Sequence, residues 1–185
     1  MKKIHVKIKG ISPLLMHRPS SEMEELLKKA RENKVKEETE KKNIHLYLYL
    51  DDEKKPCVPS IYLIRSMMKA GANFKVEGKG KKTYKNYIGS GLLIIEPSLI
   101  PIKPSKYEVH EAYVVIQRNR IKRFRPMFKK WSLEFDLYFD ESIFTENILK
   151  EILSYAGAFE GIGDFRPNKG GCYGRFEVAE WRMEL

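Results

Sequence analysis

Trp131-Ser-Leu-Glu-Phe-Asp-Leu-Tyr-Phe139 alternates without a break, with Trp131, Leu133, Phe135, Leu137 and Phe139 on one face and Ser132, Glu134, Asp136 and Tyr138 on the other. Successive side chains of a strand point to opposite faces, so this is a strand buried on one side and solvated on the other. A sheet of such strands needs a second layer on its apolar side. The segment downstream supplies one. Thr145 can cap a helix over about 145–158 whose buried stripe is Ile148, Leu149, Ile152, Leu153 and Ala156. Gly157 ends it, or Gly161 if the helix runs on. A glycine-rich segment follows, and the last strand begins near Arg175 with Phe176 and Val178. Its apolar phase then moves to Trp181, Met183 and Leu185, which predicts a bulge near Ala179-Glu180.

Upstream, Ile4, Val6 and Ile8 alternate with His5, Lys7 and Lys9 in a first half-buried strand, and Gly10-Ile-Ser-Pro13 turns it. Residues 20–43 read as one charged helix capped by Ser20 or Ser21; its apolar stripe fades beyond Leu27, which predicts a solvated, partly mobile insertion. Residues 44–50 read as a strand with Leu46, Leu48 and Leu50 on one face and His45, Tyr47 and Tyr49 on the other. Ser60 can cap a helix carrying Ile61, Ile64, Met68 and Ala72 at helical spacing. Residues 75–91 read as a flexible positive loop, 92–102 as an edge strand or two short pieces around Pro97 and Pro101, and 109–117 as a strand. The order strand, helix, strands, helix, strand predicts an α+β fold. It suits the ferredoxin-like β-α-β-β-α-β antiparallel sheet with two helices on one face, in one domain over 1–185 with an insertion at about 18–55.

The chain carries 35 Lys and Arg against 25 Asp and Glu, a net charge of +10, which favours anionic partners and nucleic acid first. Cys57 and Cys172 have no metal-ligand spacing and frame no disulfide scaffold, so no metal or other cofactor is expected. The charged start Met1-Lys-Lys-Ile-His-Val-Lys7 is unlike a signal peptide, and no apolar run nears the roughly 20 residues that span a bilayer. A cytoplasmic protein without a membrane partner is the expectation.

Three segments could hold nucleic acid. The first, Gly161-Ile-Gly-Asp-Phe-Arg-Pro-Asn-Lys-Gly-Gly-Cys-Tyr-Gly-Arg175, places five glycines among Arg166, Lys169 and Arg175, with Phe165 and Tyr173 as stacking faces. Such a loop lets backbone amides approach phosphates and bases stack. It follows a helix and leads to a strand, which excludes the dinucleotide-binding fingerprint. The second is the basic run 118–130, in which Arg118, Arg120, Lys122, Arg123, Arg125, Lys129 and Lys130 meet no acid. If 131–139 pairs with 109–117, this run is a hairpin tip that grips phosphates. The third is the loop 75–91, with Lys79, Lys81 and Lys82. His17, just after the first strand, is a candidate general base.

Three short motifs resemble the RAMP superfamily of CRISPR-associated RNA-binding proteins: Gly10-Ile-Ser-Pro-Leu-Leu15 after the first strand, Val58-Pro-Ser-Ile-Tyr-Leu-Ile-Arg65 opening the first helix, and the glycine-rich loop before the last strand. The chain also resembles small phage and archaeal proteins with the same ending. The superfamily resemblance implies guide or target RNA binding, an oligomer along the strand or a ribonucleoprotein subunit. By position it implies backbone contacts from Gly161, Gly163, Arg166, Gly170, Gly171 and Gly174, and a contact from Arg65.

The leading expectation is a non-catalytic protein that binds single-stranded nucleic acid, RNA ahead of DNA. One alternative is a metal-independent endoribonuclease using His17. Another is a protein-assembly subunit whose contact surfaces are the aromatic face of Tyr47 and Tyr49 and the helix 20–43.

Overall fold

The computed structural model describes residues 1–184; Leu185, placed above in the last strand, lies outside them. In chain order the elements are β1 (Lys2–Gly10), β2 (Leu14–Leu15), α1 (Ser21–Glu32), α2 (Lys36–Lys42), β3 (Tyr49–Leu50), β4 (Pro56–Pro59), α3 (Ser60–Gly71) and α4 (Tyr84–Gly89). Then come β5 (Leu93–Glu96), β6 (Leu99–Pro101), β7 (Glu108–Ile116), β8 (Asn119–Phe128), β9 (Ser132–Phe139), α5 (Glu146–Tyr155) and β10 (Phe176–Glu184).

The principal sheet has the order β10-β1-β9-β5, and every neighbouring pair is antiparallel. Trp131 and the inward residues of β9 are all buried, as the alternation requires. They share one core with Ile4, Val6 and Ile8 of β1 and with Leu149, Ile152 and Leu153 of α5. Thr145 Oγ accepts from the Ile148 amide and caps α5. The opposite face of the sheet is a lattice of charges, where Lys7 meets Glu134 and Glu180, and Lys3 meets Asp136 and Glu184. The bulge falls where the phase change puts it. Lys7 stands opposite Glu180 and Ile8 opposite Val178, which leaves Ala179 as the extra residue.

Two smaller sheets have the orders β2-β8-β7 and β3-β4-β6. They account for most of the departures from the sequence reading. Residues 118–130 are not a hairpin tip. β7 pairs with β8 itself over Glu108–Met127 to Ile116–Asn119, and the tip is only Gln117-Arg118, both at positive φ. β9 pairs instead with β1 and β5, because its fully apolar face belongs to the main core. Nor is the basic run without counter-charge. Lys122 meets Glu37 and Glu111, Arg123 meets Glu40, Arg125 meets Asp164, and Lys129 meets Glu108. These acids come from other parts of the chain, so no local reading finds them.

The helix expected over 20–43 is two helices, broken at Lys34, which takes φ +57. Met23 and Leu27 of α1 bury against Tyr47 in a small second core, and beyond Leu27 only Ala30 of the helix is buried. Residues 44–50 are mostly a 3-10 turn over Ile44–Tyr47, with only Tyr49–Leu50 extended. Tyr47 is therefore buried rather than part of an exposed aromatic face, and its hydroxyl donates to the buried carboxylate of Glu40 at 2.9 Å. In α3 the buried stripe is Leu63, Ser66, Met67 and Ala70, and Ile61 is exposed. Ser60 does not cap the helix; its amide donates to the Ser98 carbonyl across from β4. Residues 84–89, expected as loop, form α4 because Tyr84 and Ile88 bury against α3 and the core.

Candidate nucleic-acid interface

The glycine-rich loop is stitched to the segment after β1. The Gly174 amide donates to Pro13 O at 2.7 Å, the Asp164 amide to Leu15 O at 2.8 Å and the Arg175 amide to Ser12 Oγ at 3.0 Å. A side chain at Gly163 would put its Cβ 2.5 Å from Leu15 O, so this close crossing requires glycine. On its other side the loop is tied to α3. Ser66 Oγ donates to Gly161 O at 2.9 Å, and Lys69 contacts the Asn168 side chain. Gly163 thus permits the approach to β2, and Gly161, Gly171 and Gly174 permit close contacts within the loop itself, while an added Cβ at Gly170 would meet nothing.

Between α3 and this loop lies a cleft of about 520 Å³, within the roughly 300–1,000 Å³ of ligand sites. Arg65 and Lys69 reach it from α3, Arg166 and Lys169 from the loop, and Lys85 from α4. Arg65 and Lys69 are four residues apart, so one helical face presents both. Arg166 donates to the Gly163 carbonyl at 2.8 Å. Among the described residues none of these five cations is ion-paired with a carboxylate, in contrast to the cations of β8. Met16, Met68 and Ile162 supply apolar wall. Tyr49 and Tyr62 add two rings set edge-on at 5.7 Å, with the Tyr62 hydroxyl donating to that of Tyr49 at 2.9 Å. Burial and that hydrogen bond push the Tyr62 phenol above its ordinary range, so its ring stays neutral at physiological pH.

His17 also lines the cleft, edge-on to Tyr47 at 4.4 Å and 3.9 Å from Asp164, whose other partner is Arg125 at 2.7 Å. Burial lowers its pKa from the ordinary 6.5; Asp164 opposes the shift, and Arg125 and Arg123 add to it. An unfolded imidazole takes a proton near 6.5, and the folded one resists it. Stability associated with neutral His17 is therefore complete above pH ~6.5 and is lost as pH falls through the lower folded value. His17→Gln is expected to flatten the decline of the melting temperature between neutral and mildly acidic pH; an unchanged profile in the variant would remove His17 as a source of it.

The structure thus brings Arg65, His17, Gly161, Gly163, Arg166 and Lys169 to one cleft. Gly170, Gly171 and Gly174 lie in the same loop, with Phe165 exposed beside Tyr173. Arg175 turns its guanidinium to Ala158 O at 3.0 Å. Arg123 and Arg125 stand behind His17 in the Glu40–Asp164 network. Lys122 is held by two acids, while Arg118 and Arg120 sit exposed at the far end of the β7–β8 hairpin. Lys79, Lys81 and Lys82 are exposed on the loop before α4, Lys79 over the Tyr87 ring, and only Lys85 of that region reaches the cleft. Of the other lining residues, Lys85 belongs to the positive loop 75–91, Tyr62 to the 58–65 motif and Tyr49 to the aromatic face expected as a protein contact, whereas Ser66, Lys69 and Glu160 lie outside every candidate segment.

No protein-family model matches the chain, and no curated protein matches it. A chain of the Type III-B Cmr-beta complex, solved by cryo-electron microscopy bound to cognate target RNA, superposes with a TM-score of 0.60 at 13% identity. The match covers 98% of the present chain and 60% of that chain, so the present chain spans less than two thirds of its neighbour's length. At this identity the likeness concerns the fold, an α+β arrangement of antiparallel sheets and helices. No helix among the described residues is long and apolar enough to cross a membrane.

Proposed function

We propose that this chain is a non-catalytic, single-stranded RNA-binding subunit of the CRISPR-associated RAMP type, holding the RNA backbone in the cleft between α3 and the glycine-rich loop. The carrying observation is that five cations from three separate elements converge on one cleft without carboxylate partners among the described residues. Fixed positive charge left uncompensated at an aromatic-walled groove suits a phosphodiester chain with unstacked bases. The fold reading supports it. The order β10-β1-β9-β5, with α3 between β1 and β5 and α5 between β9 and β10, is read as the ferredoxin-like β-α-β-β-α-β unit. Residues 18–55 are then an insertion within one domain over 1–185. The neighbour's RNA-bound assembly supports RNA over DNA and a cytoplasmic ribonucleoprotein, or copies along one strand, as the setting.

The test is fluorescence anisotropy with a labelled 12-nucleotide single-stranded RNA and the matched DNA across a salt series. If each cleft cation neutralises one phosphate, the slope of log affinity against log salt is about −3.5. RNA is expected to bind more tightly than DNA and to run intact on a denaturing gel afterwards. Absent or salt-insensitive binding overturns the proposal.

A further inference from the structure

Glu160 is the anomaly of the cleft. A carboxylate in a groove for a polyanion is repelled by every phosphate that enters, so its presence there needs a reason. The other acid of the lining, Asp164, has ion-pair partners, Arg125 at 2.7 Å and His17 at 3.9 Å, although its Oδ2 too is shielded and lacks an aligned hydrogen-bond donor. Glu160 has no such partner. Its Oε2 is shielded from solvent and meets no donor among the described residues, although the residue lines a cleft with five cations. A buried acceptor without a donor is costly unless a ligand supplies the hydrogen.

The backbone places it there by an irregularity. After α5 the helix widens into a π-helical turn over Ala156–Glu160, and the Gly161 amide reaches back five residues to Ala156 O at 2.8 Å. The turn closes the helix at Gly161, which takes φ +66, and so fixes where Glu160 leaves it. Phe159, the residue before Glu160, is 61% exposed on the surface, and Glu160 sits half-buried at the cleft beside Gly161 and Ile162.

We infer that Glu160 reads the Watson–Crick edge of an unpaired base seated in the cleft and selects guanine. This deepens the RNA-binding proposal and rests on it. A carboxylate offers two acceptors and no donor. Guanine alone presents two adjacent donors on that edge, N1–H and the N2 amine. Adenine and cytosine place a ring acceptor next to a single amine, and uracil places a carbonyl on each side of its N3–H. The cations hold the flanking phosphates, Met16 and Met68 supply apolar surface for the base, and the carboxylate, once its side chain turns Oε2 into the cleft, meets the one edge that offers a donor to each of its oxygens. The edge is free only in an unpaired base, so the same contact favours single strands.

The experiment uses the intact chain and 12-nucleotide uridine-rich RNAs that differ at one central position. Guanosine there is expected to bind about tenfold more tightly than adenosine, cytidine or uridine. Inosine, which lacks the N2 amine, should fall between. In Glu160→Gln the ranking should collapse, while uridine-only RNA, relieved of the carboxylate's repulsion, should bind at least as tightly as it does to the parent. Glu160→Ala should do the same, with thermal melts confirming that both variants fold. Equal affinity for all four bases, with salt-dependent binding intact, overturns the role of Glu160 and leaves RNA binding standing. Persistence of guanine preference in Glu160→Gln also overturns it. Absence of binding to every RNA is the failure of the underlying proposal.

Discussion

Reversing Arg65 and Lys169 to glutamate together is expected to lower affinity for single-stranded RNA by at least about a hundredfold. Each loses a charged contact to phosphate, on the order of 1.5–3 kcal/mol, and replaces attraction with repulsion. With three of the five cations left, the salt slope should fall from about −3.5 to about −2. The pair is chosen because both side chains are exposed and they face the cleft from opposite walls, one on α3 and one on the loop. Arg166 would be a poorer probe, since its guanidinium also braces the Gly163 carbonyl. The melting temperature should move little.

The matched control is Arg118→Glu with Arg120→Glu at the hairpin end. These two are exposed at the turn end of the β7–β8 hairpin, and neither lines the cleft. A modest loss of affinity is expected. A loss equal to that of the cleft pair, with the cleft pair nearly silent, would move the interface to the hairpin. Reversal at Arg123 would not discriminate, because it sets a new carboxylate against the buried Glu40.

The core of the fold was readable because its pattern is local. The unbroken alternation of 131–139, the stripe at 148–156 and the phase change between Val178 and Trp181 each report one face of one element, and each is where the periodicity puts it. What could not be read is what depends on partners distant in sequence. Glu37 and Glu40 look like solvated charges of a polar helix until β8 brings Lys122 and Arg123 to them. Tyr47 alternates with Leu46 and Leu48 as if in a strand, yet its hydroxyl is satisfied only by Glu40 seven residues back, in a 3-10 turn.

The site divides the same way. Arg65 and the glycine-rich loop stood out by composition. Lys69 carries a usable signal, four residues after Arg65 on the same helical face, but the apolar spacing Ile61, Ile64, Met68, Ala72 is out of phase with the stripe that is buried, Leu63, Ser66, Met67 and Ala70, and so misplaces the helix's polar face. Glu160 carried none, because its position depends on a π-helical turn that periodicity of 3.6 does not anticipate.

Gly174→Ala is expected to be a severely damaging single-methyl change in the loop. Gly174 takes φ +69, which costs an L-residue about 1–2 kcal/mol. Its added Cβ would stand 1.8 Å from the Ile162 carbonyl oxygen, a backbone atom that cannot rotate away. Relief requires separating the two limbs of the loop, which breaks the 3.0 Å bond from the Ile162 amide to Gly174 O and the 2.7 Å bond from the Gly174 amide to Pro13 O. A total cost of about 3 kcal/mol or more follows, and in a chain of this size that lowers the melting temperature by roughly 6–12 °C. Because Arg166 and Lys169 ride on the same loop, RNA affinity should fall with it. Gly170→Ala is the counter-test. Gly170 also has a positive φ, +77, but no atom lies within 4 Å of its added Cβ. It should cost only the backbone strain, about 1–2 kcal/mol, and leave RNA affinity within about twofold of the parent, provided that nothing bound in the cleft approaches that Cα. If Gly170→Ala instead abolishes RNA binding while the melting temperature barely moves, the loop's glycines are there to let RNA approach the backbone. If both variants behave as expected, the glycines are there to let the loop close on itself, and its side chains do the binding.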